Sequence, residues 1–331
     1  MSTSAGRLRV SLAVGDYDHV RDLVDGCVRA QGIDLIPNVL EPEEIFQRFT
    51  AHREWDVSEM SLGAYASLWS AGERYCRAIP VFPSRAFRHS AIYVRPDGPV
   101  RSPLDLRGAR IGVAEWAQTA AIWVRGMLME DFGLRLEEVR WYQAGVADPG
   151  RVEMARPYLP DGVELVSRPD TSLDRMLREG ELDALISARP PASFEAGLAR
   201  HLWTDLAQVE ADYWRAHRVF PIMHVMVIAS ELLQRHPWVA RNLLVAFTEA
   251  KNRSLARLQS ATNPVVPLPS LFERWLEVRT DFGPDPWPYG VEPNRQVLDT
   301  FLGFAAAQGV LRRPLVADEL FAPETLSAPR R

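Results

Sequence analysis

Three side chains that could bind an anion, Arg85, Arg88 and His89, fall within five residues of sequence, close to Pro83. The alternating apolar stretch at residues 90–95 that follows them is typical of a β-strand. Cationic groups buried at the start of a strand require hydrogen-bond acceptors or a charged ligand. The cluster therefore predicts an anion site. The alternative is that these side chains are solvated or paired with the chain's own carboxylates, as most surface arginines are.

Further polar candidates follow the predicted strands. Asp16 lies in the turn after the first strand, and Ser61 and Gly63 lie in the turn after the third. Ligands in open α/β sheets bind at the carboxyl ends of strands, so these residues are predicted to line a pocket. Capping of the helices that follow is the alternative role for them.

The second half of the chain offers candidates at equivalent places. A helix predicted over residues 120–132 would present free N–H groups and its positive dipole end to an anion. Thr119 is predicted to cap this helix and Glu115 to enter the pocket as an acid or a base; the alternatives are capping alone and a surface ion pair. Arg189 follows a predicted buried strand at residues 182–188, so both halves are expected to supply cations to one cleft.

The elements that must position these side chains form two α/β series. In the first, strands are predicted at residues 7–14, 33–37 and 55–60, with helices at residues 20–30, 42–52 and 64–71. A turn at residues 96–99 precedes the second series, whose strands are predicted at residues 110–113, 139–145, 162–167 and 182–188. The apolar run at residues 220–228 is predicted to be a returning strand. His224 lies in this run, where a lone histidine is more often a core residue than a catalyst.

The composition excludes several classes of protein. A chain of 331 residues suits two domains of about 150 residues each. The net charge of −5, without a long basic run, argues against nucleic-acid binding. Cys27 and Cys76 form no CxxC pair, so neither a disulfide scaffold nor a zinc site is indicated. The N-terminal residues lack a secretory signal and no stretch is long and apolar enough to span a bilayer, so a cytoplasmic protein is predicted.

Several sequence signatures of catalysis are missing. The chain has no GxGxxG, GxxxxGKS/T, GxSxG or HExxH, so the usual signals of dinucleotide sites, P-loops, hydrolase elbows and zinc peptidases are lacking. The seven histidines are scattered, and none forms a helical pair beside a carboxylate. No metal site is predicted.

Longer motifs carry a resemblance to a known family. They are SLGAY at residues 61–65, IPVFPSRAFRH at 79–89, ARPP at 188–191, FPIMH at 220–224 and WPYGVEPNR at 287–295. With these motifs the chain resembles the 4,5-dihydroxyphthalate decarboxylase family over nearly its whole length, and its order of elements resembles the type II periplasmic solute-binding fold. The resemblance implies a two-lobed α/β fold with a ligand cleft between the lobes and two crossover strands. It places residues 1–96 and 216–331 in one lobe and residues 97–215 in the other.

The resemblance also implies a function, the non-oxidative decarboxylation of a hydroxylated aromatic carboxylate such as 4,5-dihydroxyphthalate. Such a reaction needs a proton for the ring carbon that bears the carboxylate and a base for the hydroxyl para to it. No organic cofactor is expected, because the phenol relays the electrons. The implied carboxylate clamp is Arg85, Arg88 and Arg189 with the N–H groups near Thr119. The implied acids and bases are His89 and His224, with Glu115 or Glu292 as the alternative base, and Tyr289 and Arg295 would close the cleft.

Two other functions stay open on the sequence alone. A solute-binding protein that captures a small carboxylate for an ABC importer would share the fold and the arginines, but it needs an export signal and no histidine directed at a ring carbon. An enzyme of this fold that acts on another small metabolite would also have a cationic cleft. In each case the expected partner is a small anion rather than nucleic acid or a membrane, and homo-oligomerisation is left open.

Overall fold

The computed structural model describes residues 6–150, 153, 157–260, 262 and 265–326. These residues form two β-sheets flanked by helices. The strands are β1 (Leu8–Val14), β2 (Ile33–Val39), β3 (Val57–Ser61), β4 (Cys76–Ile79), β5 (Ile92–Val94), β6 (Arg110–Val113), β7 (Arg140–Gly145), β8 (Leu165–Ser172), β9 (Ala184–Ile186), β10 (Arg200–His201) and β11 (His224–Ala229). The helices are α1 (Asp18–Val24), α2 (Pro42–His52), α3 (Leu62–Ser70), α4 (Thr119–Phe132), α5 (Leu173–Glu179), α6 (Ala192–Glu195), α7 (Leu206–His217), α8 (Ser230–Arg235), α9 (Trp238–Leu258), α10 (Leu271–Phe282), α11 (Arg295–Ala307) and α12 (Ala317–Leu320).

The first sheet has the strand order β2-β1-β3-β11-β4. Strand β1 is parallel to β2 and β3, while β11 is antiparallel to β3 and β4. Strand β3 is central, and all five of its residues are buried. Because β11 runs against β3, His224 at its start pairs with Ser61 at the end of β3. The carboxyl ends of β1 and β3 therefore share an edge with the amino end of β11.

The second sheet has the order β10-β5-β9-β6-β7-β8. Strand β6 is parallel to both of its neighbours, β7 and β9. The carboxyl ends of β6 and β9 consequently meet at one edge. Glu115 follows β6 and Arg189 follows β9, so the sheet brings the two side chains to the same edge.

The chain crosses between the sheets twice, and the two crossing segments lie side by side. Arg85 and Ile222 form an antiparallel bridge, Ala86 N donates to Pro221 O at 3.1 Å, and Met223 N donates to Ser84 O at 2.8 Å. The strands predicted at residues 90–95 and 220–228 are shorter than expected. Only β5 and β11 enter the sheets, and the segments before them pair with each other. The first crossing ends at β5, upstream of the predicted lobe boundary at residue 96.

Helix α4 is fixed by the C-terminal helix α11. The Trp123 ring lies 5.5 Å from Phe301 and 5.8 Å from Phe304. A Cβ atom at Gly126 would lie within 2.0 Å of the Phe304 ring, so this close packing of the helices requires glycine. Arg125 is fully buried and donates to Gln308 and to Trp116 O. This packing sets the position of the first turn of α4. Among the described residues, no helix has both the length and the apolar character needed to cross a membrane.

Candidate active site

A cavity of about 240 Å³ lies where the edges of the two sheets meet. The first sheet and its crossing segments contribute Tyr17, Ser61, Arg88 and His224 to its wall, and the second sheet side contributes Glu115, Thr119 and Arg189. A larger cleft of about 740 Å³ adjoins it. The two spaces share Glu43, Gln118, Ala188 and Arg189. The sequence prediction that both halves of the chain supply one cleft is consistent with this arrangement.

His224 and Glu59 form a hydrogen-bonded pair at the wall of the cavity. The His224 Nδ1 atom lies 2.6 Å from Glu59 Oε1, and the Glu59 side chain is fully buried. Glu59 also accepts from Tyr17 Oη and from Gly15 N, each at 2.8 Å. A carboxylate oxygen accepts hydrogen bonds, so the imidazole donates to Glu59 through Nδ1. Nε2 is therefore the nitrogen left for the cavity, and it makes no hydrogen bond to any described residue.

Two aromatic residues hold this pair in place. Burial and the nearby Glu59 carboxylate raise the pKa of the Tyr17 phenol, so Tyr17 acts as a neutral donor. The Phe46 ring packs edge-on against the His224 ring at 4.9 Å, with an interplanar angle of 83°. Phe46, Pro42 and Met223 also line the cavity and give it an apolar surface. The imidazole thus lies between a carboxylate and an apolar wall.

Arg88 is the cation that lies deeper in the cavity. Its Nη1 donates to Ala188 O at 3.3 Å and its Nε contacts Met223 Sδ. Burial lowers the pKa of its guanidinium to about 10, so the group stays protonated at neutral pH. Within the described part of the chain, no carboxylate forms a salt bridge with Arg88. A partly buried cation of this kind favours an anionic ligand.

The floor of the cavity joins the two halves of the molecule. The Thr119 hydroxyl lies 2.9 Å from Ser61 Oγ and accepts from Gly63 N at 2.8 Å. A Cβ atom at Gly63 would lie 2.3 Å from Ala117 O, so only glycine permits this approach. The predicted capping role of Thr119 is wrong, because α4 is preceded by Gln118 and the Thr119 hydroxyl is occupied by Gly63 and Ser61. Ser61 does cap α3, accepting from Ala64 N.

Glu115 is the acidic side chain that the second sheet side presents to the cavity. It is buried, with 2% of its surface exposed. Glu153, which lines the larger cleft, accepts from Trp116 N at 2.6 Å and from Ala117 N at 3.0 Å. Burial raises the pKa of Glu153, and the Glu115 carboxylate adds to this effect while the hydrogen bond from Ala117 opposes it. Burial and the neighbouring Glu115 carboxylate therefore both favour the protonated form of Glu153.

Arg189 lies at the junction of the cavity and the cleft. Its Nη2 lies 2.8 Å from Glu41 Oε2, and its Nε lies 4.0 Å from Glu43 Oε1. Glu41 directly precedes α2 and Glu43 lies in its first turn, so both glutamates are on the first sheet side. The ion pair consequently joins the two sides of the cleft at its mouth.

Two of the predicted site residues are structural instead. Arg85 is buried and donates to Phe220 O at 3.2 Å, to Pro288 O at 2.9 Å and to Asn294 Oδ1. These acceptors hold it between the crossing segments and the C-terminal region, so it does not reach the cavity as a carboxylate clamp. His89 is also buried, 5.2 Å from the Trp203 and Tyr213 rings. Burial, with a smaller effect of His217, lowers the pKa of His89 to about 4.

Four further predicted residues lie outside the cavity. Glu292 and Arg295 form an ion pair on the surface, which Asp318 extends at 2.9 Å. Tyr289 is buried. Its loop docks on the first crossing, since Trp287 donates to Phe82 O and Gly290 N donates to Pro80 O, each at 2.8 Å. These two hydrogen bonds hold the loop against the first crossing and away from the cleft. Asp16 is exposed and lies 3.8 Å from Arg21.

Sequence reasoning missed Glu59, Tyr17 and Phe46. A signal for Glu59 was present, because an acidic residue inside a buried apolar strand needs a partner. For Tyr17 and Phe46 the sequence offered no signal that separates them from other aromatic residues. Among the described residues, Glu130, Asp131 and His217 could together supply three metal ligands. None of the three lines the cavity or the cleft, and His217 Nε2 lies 2.8 Å from Asp131 Oδ1.

Comparison with known proteins shows full-length similarity. No family model matches the sequence. The chain is 38% identical over 325 residues to 4,5-dihydroxyphthalate decarboxylase of Comamonas testosteroni, covering 97% of this chain and 98% of that protein. It is 43% identical over 213 residues to 4,5-dihydroxyphthalate decarboxylase of Pseudomonas putida, covering 63% of this chain and 83% of that protein. The periplasmic aliphatic sulphonate binding protein of Escherichia coli superposes with a TM-score of 0.53 at 12% identity, covering 98% of this chain and 94% of that chain. This last similarity confirms the predicted two-lobed binding-protein fold.

Proposed function

The chain belongs to the 4,5-dihydroxyphthalate decarboxylase family, and we propose that it removes one carboxylate, without oxidation, from 4,5-dihydroxyphthalate or a closely related hydroxylated aromatic carboxylate. The observation that carries this proposal is the pairing of His224 with buried Glu59 beside the Arg88 guanidinium in one small cavity. A protein that only captures a carboxylate needs the arginine. It has no need of an imidazole held by a buried carboxylate.

Binding rests on Arg88 and on the apolar wall. Arg88 holds the carboxylate that stays on the ring, since a charge-assisted hydrogen bond in a partly buried site is stronger than one in water. The first turn of α4 lies at the same cavity through Thr119 and Ala120, and its dipole adds to the positive potential there. Phe46 and Met223 pack against the aromatic ring. The substrate is thereby oriented before any proton moves.

The chemistry requires proton transfers at both ends of the ring, to and from the hydroxyl oxygen and to the carbon that bears the carboxylate. A base removes the proton from the hydroxyl para to the carboxylate-bearing carbon, and electron density moves to that carbon. The carbon takes up a proton, and its bond to the carboxylate breaks. The electron pair of that bond restores the aromatic ring, carbon dioxide leaves, and the phenolate regains its proton. The phenol itself serves as the electron relay, so this scheme uses no organic cofactor.

We assign the base to His224 and the acid to Glu115. Glu59 stabilises the imidazolium that forms when His224 Nε2 takes the hydroxyl proton, and it fixes the tautomer that can do so. Glu115 faces the cavity from the second sheet side, so the two groups reach the ring from different lobes. Tyr17 and Gly15 hold Glu59 in turn.

The proposal is tested by incubating the purified protein with 4,5-dihydroxyphthalate. Carbon dioxide release is measured together with the ultraviolet spectrum of the ring, with and without a chelator. We expect release of one carbon dioxide per substrate and a spectrum that changes to that of protocatechuate. Phthalate is the control, since it lacks the para hydroxyl and should bind without reacting. Tight binding of 4,5-dihydroxyphthalate without carbon dioxide release would overturn the proposal in favour of a solute-binding protein. The cytoplasmic location and the oligomeric state stay predictions.

A further inference from the structure

The two arginines of the cavity, Arg88 and Arg189, are both linked to the backbone at Ala188. Arg88 Nη1 donates to Ala188 O, and Arg189 is the next residue along the chain. Both arginines line the same cavity, Arg88 from the first crossing segment and Arg189 from the loop after β9. Two cations on adjacent walls match a ligand with two neighbouring carboxylates.

The two arginines differ in what they bind. Arg88 is partly buried and forms no salt bridge within the described residues. Arg189 is paired with Glu41, and the two side chains are 58% and 74% exposed. An ion pair as exposed as this one is weak, so a carboxylate of the substrate can replace Glu41 at little cost. The Arg110–Asp183 pair shows the contrast, because its two parallel hydrogen bonds are 3.0 and 2.7 Å long and Asp183 is largely buried.

We propose that Arg189 exchanges Glu41 for the second carboxylate of the substrate, and that this exchange selects neighbouring dicarboxylates over monocarboxylates. The inference rests on the proposed function and deepens it. Arg88 binds the carboxylate that is kept, and Arg189 binds the one that leaves. When carbon dioxide departs, that negative charge is lost and Glu41 pairs with Arg189 again. The product then keeps one cationic contact instead of two, which favours its release.

The position of the pair supports this exchange. Glu41 precedes α2 on the first sheet side, whereas Arg189 belongs to the second sheet side, so the ion pair crosses the mouth of the cleft. Glu43 lies 4.0 Å from Arg189 Nε and lines both spaces. The negative charge of these two glutamates weakens the hold of Arg189 on the leaving carboxylate. A strong buried cation would stabilise the leaving carboxylate before it reacts, and so would oppose the loss of its charge as carbon dioxide.

The test is equilibrium binding by titration calorimetry with two unreactive probes, phthalate with two neighbouring carboxylates and benzoate with one. We expect the unmodified protein to bind phthalate about tenfold or more tightly than benzoate, given the energy of one charge-assisted hydrogen bond. Arg189→Met should reduce this preference to about twofold, with benzoate affinity unchanged. Glu41→Gln should strengthen phthalate binding about twofold to fivefold, since the competing anion is removed, and leave benzoate binding unchanged.

Matched controls come from an exposed ion pair outside the cleft. Arg175 and Glu179 are 60% and 48% exposed and lie 2.8 Å apart, and neither residue lines the cavity or the cleft. Arg175→Met and Glu179→Gln change the net charge by the same amounts as Arg189→Met and Glu41→Gln. Neither should alter the phthalate preference. An Arg189→Met protein that still prefers phthalate tenfold, or a Glu41→Gln protein with unchanged phthalate affinity, would overturn the exchange.

This outcome is separable from the proposed function. If the unmodified protein releases no carbon dioxide but the preference depends on Arg189, dicarboxylate selection stands and the decarboxylase proposal fails. If carbon dioxide is released and the preference is independent of Arg189, the decarboxylase stands and the exchange fails.

Discussion

His224 and His89 are the same residue type at the ends of the two crossing segments, yet their surroundings differ. His224 donates to a buried carboxylate and lines the cavity. His89 lies among aromatic rings, and its Nδ1 atom is buried without a hydrogen-bond partner among the described residues. Burial without a carboxylate keeps His89 neutral. His224 instead forms a hydrogen bond with the Glu59 carboxylate. A partner and access to the ligand, rather than residue type, separate the acid/base candidate from the structural histidine.

Arg85 and Arg88 show the same contrast three residues apart. Arg85 is surrounded by oxygen acceptors of the chain itself, so its charge is used to hold the crossing segment against the C-terminal region. Arg88 has one backbone oxygen and a thioether as contacts, and it lines the cavity. In each pair one residue serves the fold and the other is available to a ligand.

The largest expected effect is that of His224→Gln. Removing the proton acceptor should lower kcat by about a hundredfold to ten-thousandfold, the usual contribution of a general acid or base. Substrate affinity, measured by calorimetry with phthalate, should change little because Arg88 is intact.

The matched control for this comparison is His89→Phe, which retains an aromatic ring among Trp203 and Tyr213. Its kcat should stay within about threefold of the unmodified value, since His89 does not line the cavity. Equal losses in the two variants would contradict the distinction between the two histidines.

Glu59→Gln should have the next largest effect. The amide keeps the size of the side chain but removes the charge that stabilises the imidazolium, so we expect a decrease of about tenfold to a hundredfold in kcat. Phthalate affinity should change little, because Arg88 is intact. A Glu59→Gln protein that melts at a markedly lower temperature but keeps its kcat would mean that Glu59 serves only the packing of β3.

Arg88→Met tests the contrast between Arg88, which lines the cavity, and Arg85, which does not. Loss of the cationic contact should raise KM about tenfold with a smaller change in kcat, because one charge-assisted hydrogen bond to the substrate is removed. Arg85→Met should instead lower the melting temperature, since Phe220 O, Pro288 O and Asn294 lose their donor. The KM of the folded Arg85→Met protein should be unchanged. A raised KM in both variants would place Arg85 at the site after all.

The sequence predicts the fold well because its signals are local. The run at residues 220–228 overlaps β11 in all but its last residue, and Ser61 at the end of β3 and Glu115 after β6 do reach the cavity. These predictions depend on the period of apolar residues and on the rule that ligands bind at strand ends.

The site is less predictable because its contacts are distant in sequence. The pairing of Glu59 with His224 depends on the antiparallel register of β3 and β11, which joins residues 165 positions apart. Arg85 and Arg88 lie on an irregular segment, where spacing does not tell which side chain faces the cavity. Tyr289 and Arg295 are predicted to close the cleft, but Tyr289 is buried and Arg295 forms a surface ion pair with Glu292.

The smallest expected effect concerns stability and returns to His89. Burial lowers its pKa from 6.5 to about 4, so between these values the unfolded chain binds a proton that the folded protein does not. The free energy of unfolding therefore decreases as the pH falls below 6.5, and His89 accounts for about 1 kcal/mol of this loss at pH 6. The free energy of unfolding, measured with urea at pH 7.5 and at pH 6, should therefore decrease by about 1 kcal/mol less for His89→Phe than for the unmodified protein. His19, whose pKa burial also lowers to about 4, is present in both proteins and cancels in the difference. An identical decrease in the two proteins would mean that His89 takes up its proton without unfolding, and the contrast with His224 would then rest on access to the ligand alone.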